Sequence, residues 1–197
     1  MTTWVVVLIK DFGSAKQRLR PALGPQERRA LAQRNAQLAV QAAAAGDRIL
    51  VVAGDGEVAD LARGWGAEVL LEPIQEGQNA AAARGIARAV EGGADAVLIL
   101  SSDLPLITTD SVREVLEVGS RIDGPAAVAV RAIGRGGTNA LYLRPPGIIT
   151  LHFGSDSLAK FRNEAERNAV KFVVHDSDSM ALDLDEPGDL ARLRRAV

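Results

Sequence analysis

The chain has 197 residues, a formal charge of −2 and no cysteine, so it can bury one ordinary core, and disulfides, thiolate metal sites and cysteine nucleophiles are excluded. With His152 and His175 as its only histidines, a His-rich metal centre is excluded and a Ser–His–Asp triad disfavoured; any catalysis must use carboxylates, Lys/Arg, hydroxyls and backbone amides. The balanced charge provides no global basic field for nucleic acid, and aromatic residues at 4% leave the core to Val, Leu, Ile and Ala.

In chain order, Thr3–Ile9 is an apolar, β-branched run followed directly by Lys10. It is too short to span a bilayer, which takes about 20 residues, and no basic segment precedes it as in a signal peptide. It reads as a buried strand of a cytoplasmic protein. Pro25–Ala45 reads as a long helix, begun by Gly24-Pro25 and stopped by Gly46. Strand Arg48–Ala53, short helix Glu57–Arg63 and short strand Glu68–Leu71 follow. Next come helix Asn79–Glu91, ended by Gly92-Gly93, strand Ala96–Leu100, helix Asp110–Val118 and strand Ala126–Arg131. Beyond residue 131 the pattern is less regular: Asn139–Leu143 reads as a strand, Ser157–Asn168 as a helix and Lys171–His175 as a strand. Ala181–Leu184 is expected as a further short strand before a closing helix, Pro187–Arg195. Buried strands separated by helices predict an α/β fold with a mostly parallel sheet, in one domain covering residues 1–197.

Ligands of open α/β sheets bind outside the carboxyl ends of the strands, so the loops there are where chemistry is expected. Lys10–Arg20 carries four cations in eleven residues around a Gly13-Ser14 turn. Amides at such a turn, with Lys and Arg, suit phosphate oxygens; a solvated basic loop is the alternative, and Walker A spacing is missing. Asp103, at the exit of a buried strand, suits a divalent cation, which prefers hard oxygen ligands, or the capping of a turn. In Asp183-Leu184-Asp185-Glu186-Pro187, an extended chain would point Asp183 and Asp185 to one side, where they repel unless a cation lies between them. Asp185 or Glu186 before Pro187 equally suits a helix start. The run Gly134-Arg135-Gly136-Gly137-Thr138-Asn139 suits an anion-binding nest or a hairpin turn. Phe153-Gly154-Ser155-Asp156-Ser157 leads into a helix that Ser155, Asp156 or Ser157 would cap, with amides available to a carboxylate or phosphate. His175 reads as a packed or solvated residue, and Trp4 and Trp65 as packing residues.

Several short motifs recur along essentially the whole chain: Lys10 with Gly13-Ser14-Ala15-Lys16-Gln17-Arg18-Leu19, Gln78-Asn79-Ala80, Asp103-Leu104-Pro105-Leu106, Gly137-Thr138-Asn139-Ala140-Leu141, Phe153-Gly154 with Ser157, and Leu182-Asp183-Leu184-Asp185-Glu186-Pro187. Collinear and so spaced, they resemble the 2-phospho-L-lactate and phosphoenolpyruvate guanylyltransferases of coenzyme F-420 biosynthesis. Gln78 stands where that pattern commonly has leucine, and Phe161 where it commonly has histidine. The resemblance implies a three-layer, nucleotide-diphospho-sugar transferase-like fold with a mixed, mostly parallel central sheet. It implies that Lys10, Lys16 and Arg18, with Ser14 and amides near Gly13, hold the GTP phosphates, Lys16 and Asp103 being the catalytic pair. It places Asn79 and the loop near Ala53-Gly54 at the guanosine, and Asp103, Asp183 and Asp185 on one or two magnesium ions. Thr138, Gly154 and Ser157 would surround the acid acceptor, with Arg131 or Arg135 as an added cation. Phosphoenolpyruvate is the expected acceptor, with 2-phospho-L-lactate and 3-phosphoglycerate as alternatives.

The implied chemistry suits a histidine-poor chain. A phosphomonoester is largely doubly ionised at neutral pH, its second pKa being about 6, so its oxygen can attack the α-phosphate of GTP without a general base. The partners expected are these two small molecules, with neither nucleic acid nor membrane involved and a homodimer left open. A molybdopterin guanylyltransferase or sugar-phosphate nucleotidyltransferase is the nearest rival; those carry a longer Gly-rich first loop opening Leu-x-Gly-Gly, where this chain has Lys10-Asp11. A non-catalytic nucleotide-binding module is the rival from another class, and the acid trio argues against it.

Overall fold

The computed structural model describes residues 1–134 and 136–196. Its strands are β1 (Thr3–Ile9), β2 (Arg48–Ala53), β3 (Glu68–Leu71), β4 (Ala96–Ser101), β5 (Ala126–Arg131), β6 (Thr138–Arg144) and β7 (Lys171–His175). Its helices are α1 (Pro25–Ala42), α2 (Gly56–Gly64), α3 (Gln78–Glu91), α4 (Thr109–Arg121), α5 (Ser157–Arg167), α6 (Asp178–Ala181) and α7 (Pro187–Ala196). The strands form one sheet in the order β3-β2-β1-β4-β6-β5-β7. Strand β6 runs antiparallel to both neighbours, and every other pairing is parallel. The sheet is therefore mixed and mostly parallel, as the resemblance implied.

Strand side chains alternate between two helical layers. Val5, Val7 and Ile9 join a cluster with Ala36 and Ala39 of α1, Val58 of α2 and Val115 of α4. Trp4 and Val6 join the opposite cluster, with Ala82 and Ala89 of α3 and Phe161 of α5. Burial on both faces is why these strands are continuous apolar runs. Small residues set the helix–sheet spacing. A Cβ on Gly85 would lie 2.4 Å from Val6 Cγ1, and one on Gly119 2.3 Å from the Tyr142 ring, so each glycine admits a close approach that alanine would block.

Three expectations need correction. The first helix ends at Ala42 and continues as a 3-10 turn, Ala43–Ala45, before Gly46. Ala181–Leu184 is not a strand; a helical turn covers Asp178–Ala181 and the chain then crosses the end of β4. The reason is topological: β4 already has β1 on one side and β6 on the other, so its alternating residues find no open edge. The crossing segment is fastened instead by Asn139, whose Nδ2 donates to the carbonyls of Met180 (2.8 Å) and Ala181 (3.1 Å), and by Leu184 N donating to the Asp103 carbonyl at 3.1 Å. Third, α5 is not capped by the expected side chain. Asp156 precedes α5 in the left-handed region (φ 55°) without a side-chain cap bond. At the start of α7, the Asp189 carboxylate reaches back to accept from the amides of Asp185 (3.0 Å) and Glu186 (2.8 Å).

The chain leaves β1 toward β2 on one side and later places β4 on the other, so the strand order reverses at the β1–β4 boundary. That boundary is where open α/β sheets leave a crevice. Among the described residues no helix is long and apolar enough to cross a membrane.

Candidate active site

A cleft of about 460 Å³ opens over the carboxyl ends of β1, β2 and β4 and the start of α3, within the size range of small-molecule sites. Lys10, Ser14, Lys16 and Arg18 line it from the loop after β1, Asp103 from the exit of β4, and Asp185 from the crossing segment. Glu72, Gln75, Gly77 and Gln78 form the opposite end. Lys10, Ser14, Lys16, Arg18 and Asp103 thus share one cleft, as expected, and Asp185 joins them.

The loop after β1 owes its shape to two anchors and one acid. Phe12 and Leu19 are buried and pin its ends. Between them the Asp11 carboxylate accepts the Ser14 amide at 2.6 Å and the Ser14 hydroxyl. Burial by itself would raise the Asp11 pKa, but the hydrogen bonds from Ser14, Gln75 and the Gly13 amide together outweigh it and hold the carboxyl below its ordinary value. Ser14 therefore directs both of its donors at Asp11, although it lines the cleft. The β2 exit passes close by: a Cβ on Gly54 would lie 2.9 Å from Gln75 Nε2 and 3.1 Å from Asp11 N, and Gln75 Nε2 donates to the Gly54 carbonyl at 3.0 Å. Asp11 escaped the sequence reading, although Asp with Ser three residues on is the local signal of a side chain that folds its own loop.

Opposite charges meet across the cleft. Lys16 Nζ donates to Asp103 Oδ2 at 3.0 Å, with the lysine side chain only 7% exposed; Ser101 Oγ donates to the other Asp103 oxygen at 2.7 Å. Arg18 Nη1 donates to Asp185 Oδ2 at 2.8 Å and lies 3.8 Å from Glu186. Asp103 and the 183–185 segment are adjacent, joined by the Leu184 amide. Among the described residues, however, no three His, Cys, Asp or Glu side chains are grouped closely enough to hold an ion together. Like charges gathered without a counter-ion repel, and here two of the expected ligands each hold a cationic side chain.

The residues expected around the acceptor also come together, at the start of β6 and of α5. Ser157 Oγ donates to Thr138 Oγ1 at 3.0 Å, both residues being buried, and the Ser157 amide donates to the Gly154 carbonyl at 3.2 Å. Phe161 lies beneath, fully buried and edge-on to Phe153 at 5.1 Å between centroids. Gly154 is exposed and its φ of 122° suits glycine. Asn79, which the resemblance placed near the guanosine, is not among the residues that line this cleft. Its amide spans the Phe153 backbone instead, Nδ2 donating to the carbonyl at 3.2 Å and Oδ1 accepting from the N–H at 2.7 Å. Arg131 pairs with Asp176 at 2.5 Å, and Arg135 lies outside the described residues. Asn139 is a further residue whose role the sequence did not disclose: buried, it ties β6 to the segment carrying Asp183 and Asp185.

The family profile described as Guanylyl transferase CofC like matches residues 3–194. The phosphoenolpyruvate guanylyltransferase of Rubrobacter xylanophilus is 41% identical to this chain, over 98% of this chain and 94% of its own length. The 2-phospho-L-lactate guanylyltransferase of Methanothermobacter thermautotrophicus is 33% identical, over 98% and 84% respectively. A crystal structure from Desulfovibrio desulfuricans, classed with the nucleotide-diphospho-sugar transferases, superposes with a TM-score of 0.79 at 18% identity, covering 100% of this chain and 88% of the other; at that identity the likeness is one of fold. The profile and the two relatives, each matched over nearly the full length of this chain, show that it belongs to the CofC-like guanylyl transferase family.

Proposed function

We propose that this chain transfers the GMP unit of GTP to the phosphate of phosphoenolpyruvate, releasing pyrophosphate, on the route to coenzyme F-420. The observation that carries this reading is the cleft at the β1–β4 boundary, where Lys10, Lys16 and Arg18 face Asp103 and Asp185. Two polyanions must meet in this reaction, so positioning and charge neutralisation matter more than acid–base groups. An oxygen of the acceptor phosphate attacks the α-phosphorus of GTP; the bond to the bridging oxygen of the β-phosphate breaks, and pyrophosphate carries that oxygen away. Lys10, Lys16 and Arg18 hold the triphosphate. Asn79 positions the Phe153-Gly154 turn, and that turn with Thr138 and Ser157 frames the acid. Residues 1–197 act as one domain, a reading supported by the single sheet that runs from residue 3 to residue 175.

Asp103, Asp183 and Asp185 are the residues that would hold magnesium. The donor set fits: hard carboxylate oxygens suit such an ion, and Asp103 and Asp185 already hold cationic nitrogens at 3.0 and 2.8 Å. When bound, the ion would supply neutralisation of phosphate charge. Both substrates are small cytoplasmic metabolites, and the reading needs neither nucleic acid nor membrane.

The acceptor is chosen on the higher identity to the phosphoenolpyruvate guanylyltransferase relative; 2-phospho-L-lactate is the second reading, on the archaeal relative. The two acids differ in shape at carbon two, a difference worth about 1–3 kcal/mol, so a preference with some leakage is expected. The test is incubation with GTP, magnesium and each acid separately, with mass detection of the guanylylated product. The phosphoenolpyruvate product should dominate. No product with phosphoenolpyruvate, 2-phospho-L-lactate or 3-phosphoglycerate would overturn the assignment.

A further inference from the structure

Two cations of the loop after β1 are seated on two of the acids given above to magnesium. The Lys16–Asp103 contact is not a loose surface pair. The lysine side chain is 7% exposed and the aspartate 28%, and lysine is almost never so buried unless paired. Its backbone lies in the left-handed region, at φ 58° and ψ 33°, a conformation unfavourable for a non-glycine residue that persists only where its surroundings over-determine it. The surroundings do so here: the Leu19 amide donates to the Lys16 carbonyl at 2.9 Å, opening a 3-10 turn, and the Leu19 side chain is fully buried. Ser101 Oγ occupies the second Asp103 oxygen. Each oxygen of the Asp103 carboxylate thus already has a partner from the protein itself.

From this geometry we infer that Lys16 is an internal stand-in for the divalent cation: in the ligand-free protein its ammonium holds the Asp103 carboxylate, and binding of the metal–nucleotide complex exchanges Lys16 from Asp103 onto phosphate oxygens. The inference rests on the reading of Asp103 as a metal ligand. An ammonium and a divalent ion brought onto the same carboxylate oxygen repel one another, and the other Asp103 oxygen already accepts from Ser101, so an ion on Asp103 weakens the hold on Lys16. Stripping Lys16 from Asp103 with nothing in return would leave a mostly buried ammonium uncompensated, which is strongly unfavourable. Metal and triphosphate therefore assist one another: the ion releases Lys16, and the phosphates receive it. By reciprocity the same coupling raises metal affinity when nucleotide is present.

The test uses Mn²⁺ as the probe, with free ion followed by electron paramagnetic resonance in wild type, Lys16→Gln and Lys10→Gln and no nucleotide present. Lys10 lines the same cleft and makes no ion pair among the described residues, so it controls for simple loss of positive charge. Lys16→Gln should tighten Mn²⁺ binding by about fivefold or more, the scale of ordinary site–site coupling. Lys10→Gln should change it by less than about twofold, acting only through screened solvent. Equal tightening by both variants, or none by Lys16→Gln, would overturn the exchange. A second measurement needs no variant: acylation of Lys16 in wild-type protein, read by mass spectrometry, should rise when Mn²⁺ binds, and an unchanged or lower rate with the ion bound would also overturn it. Failure of all three proteins to bind Mn²⁺ even with GTP present would instead remove the metal assignment itself, and the exchange with it.

Discussion

At the cleft, Lys16 meets Asp103 at 3.0 Å and Arg18 meets Asp185 at 2.8 Å. Where β6 and α5 begin, the contacts are uncharged: Ser157 on Thr138, Asn79 on the Phe153 backbone and Asn139 on the carbonyls of Met180 and Ala181. The difference is one of exchangeability. A cation paired with a carboxylate can trade it for a phosphate at small net cost, since both are oxyanions that accept the same charge-assisted hydrogen bonds. A neutral hydroxyl or amide bonded within the protein has a weaker incentive to trade its partner for a ligand, so it fixes the frame.

The sharpest way to break this comparison is at its charged end. Asp103→Asn should lower kcat/KM for guanylyl transfer by about 10²–10³-fold or more, the usual scale for removing a preorganised electrostatic group, as measured by pyrophosphate release. Near-normal turnover would show that charge at this position is incidental. Lys16→Ala should cost about 10²-fold on the same scale, through a higher KM for GTP or a lower kcat, with circular dichroism unchanged; unaltered kinetics would remove Lys16 from the phosphate site.

The neutral end should respond differently. Asn79→Ala leaves the Phe153 N–H and carbonyl without their partner, at a cost of about 1 kcal/mol, and loosens the turn that frames the acid. The KM for the acid acceptor should rise while that for GTP stays nearly fixed. A change confined to GTP would return Asn79 to the nucleotide.

The smallest effect concerns Asp11, whose carboxyl is held below its ordinary value of 3.8 because its hydrogen bonds outweigh its burial. A lowered folded pKa means that the contribution to stability is present in full above the unfolded value and is lost as pH falls through the folded one. The Tm difference between wild type and Asp11→Asn should therefore be constant above about pH 5 and shrink below pH 3.8. A difference that instead grows on acidification would contradict the assigned direction.

How far the sequence could be read follows the same divide. Strands buried on both faces, such as Thr3–Ile9 and Ala96–Ser101, declare themselves as apolar runs. The loops at their carboxyl ends are then marked by topology as places for a ligand; that Lys16 and Asp103 share one site was implied by the family resemblance. Their pairing was not legible, because 87 residues separate Lys16 from Asp103 and 167 separate Arg18 from Asp185, and nothing local encodes the contact. The partner of Asn79 was equally out of reach of local reading, because it is a peptide 74 residues away. The 181–184 segment has the alternation of a strand, but whether an edge is open to it depends on sheet order, which no local pattern carries.

The central claim is that an acceptor phosphate oxygen becomes the bridge to the GMP phosphorus. Phosphoenolpyruvate labelled with ¹⁸O at its three non-bridging phosphate oxygens, turned over with GTP and magnesium, tests it directly by ³¹P NMR. The account predicts an isotope shift on the guanylyl phosphorus, from one labelled bridging oxygen, and unlabelled pyrophosphate. A guanylyl phosphorus without that shift, or label in the pyrophosphate, would contradict it.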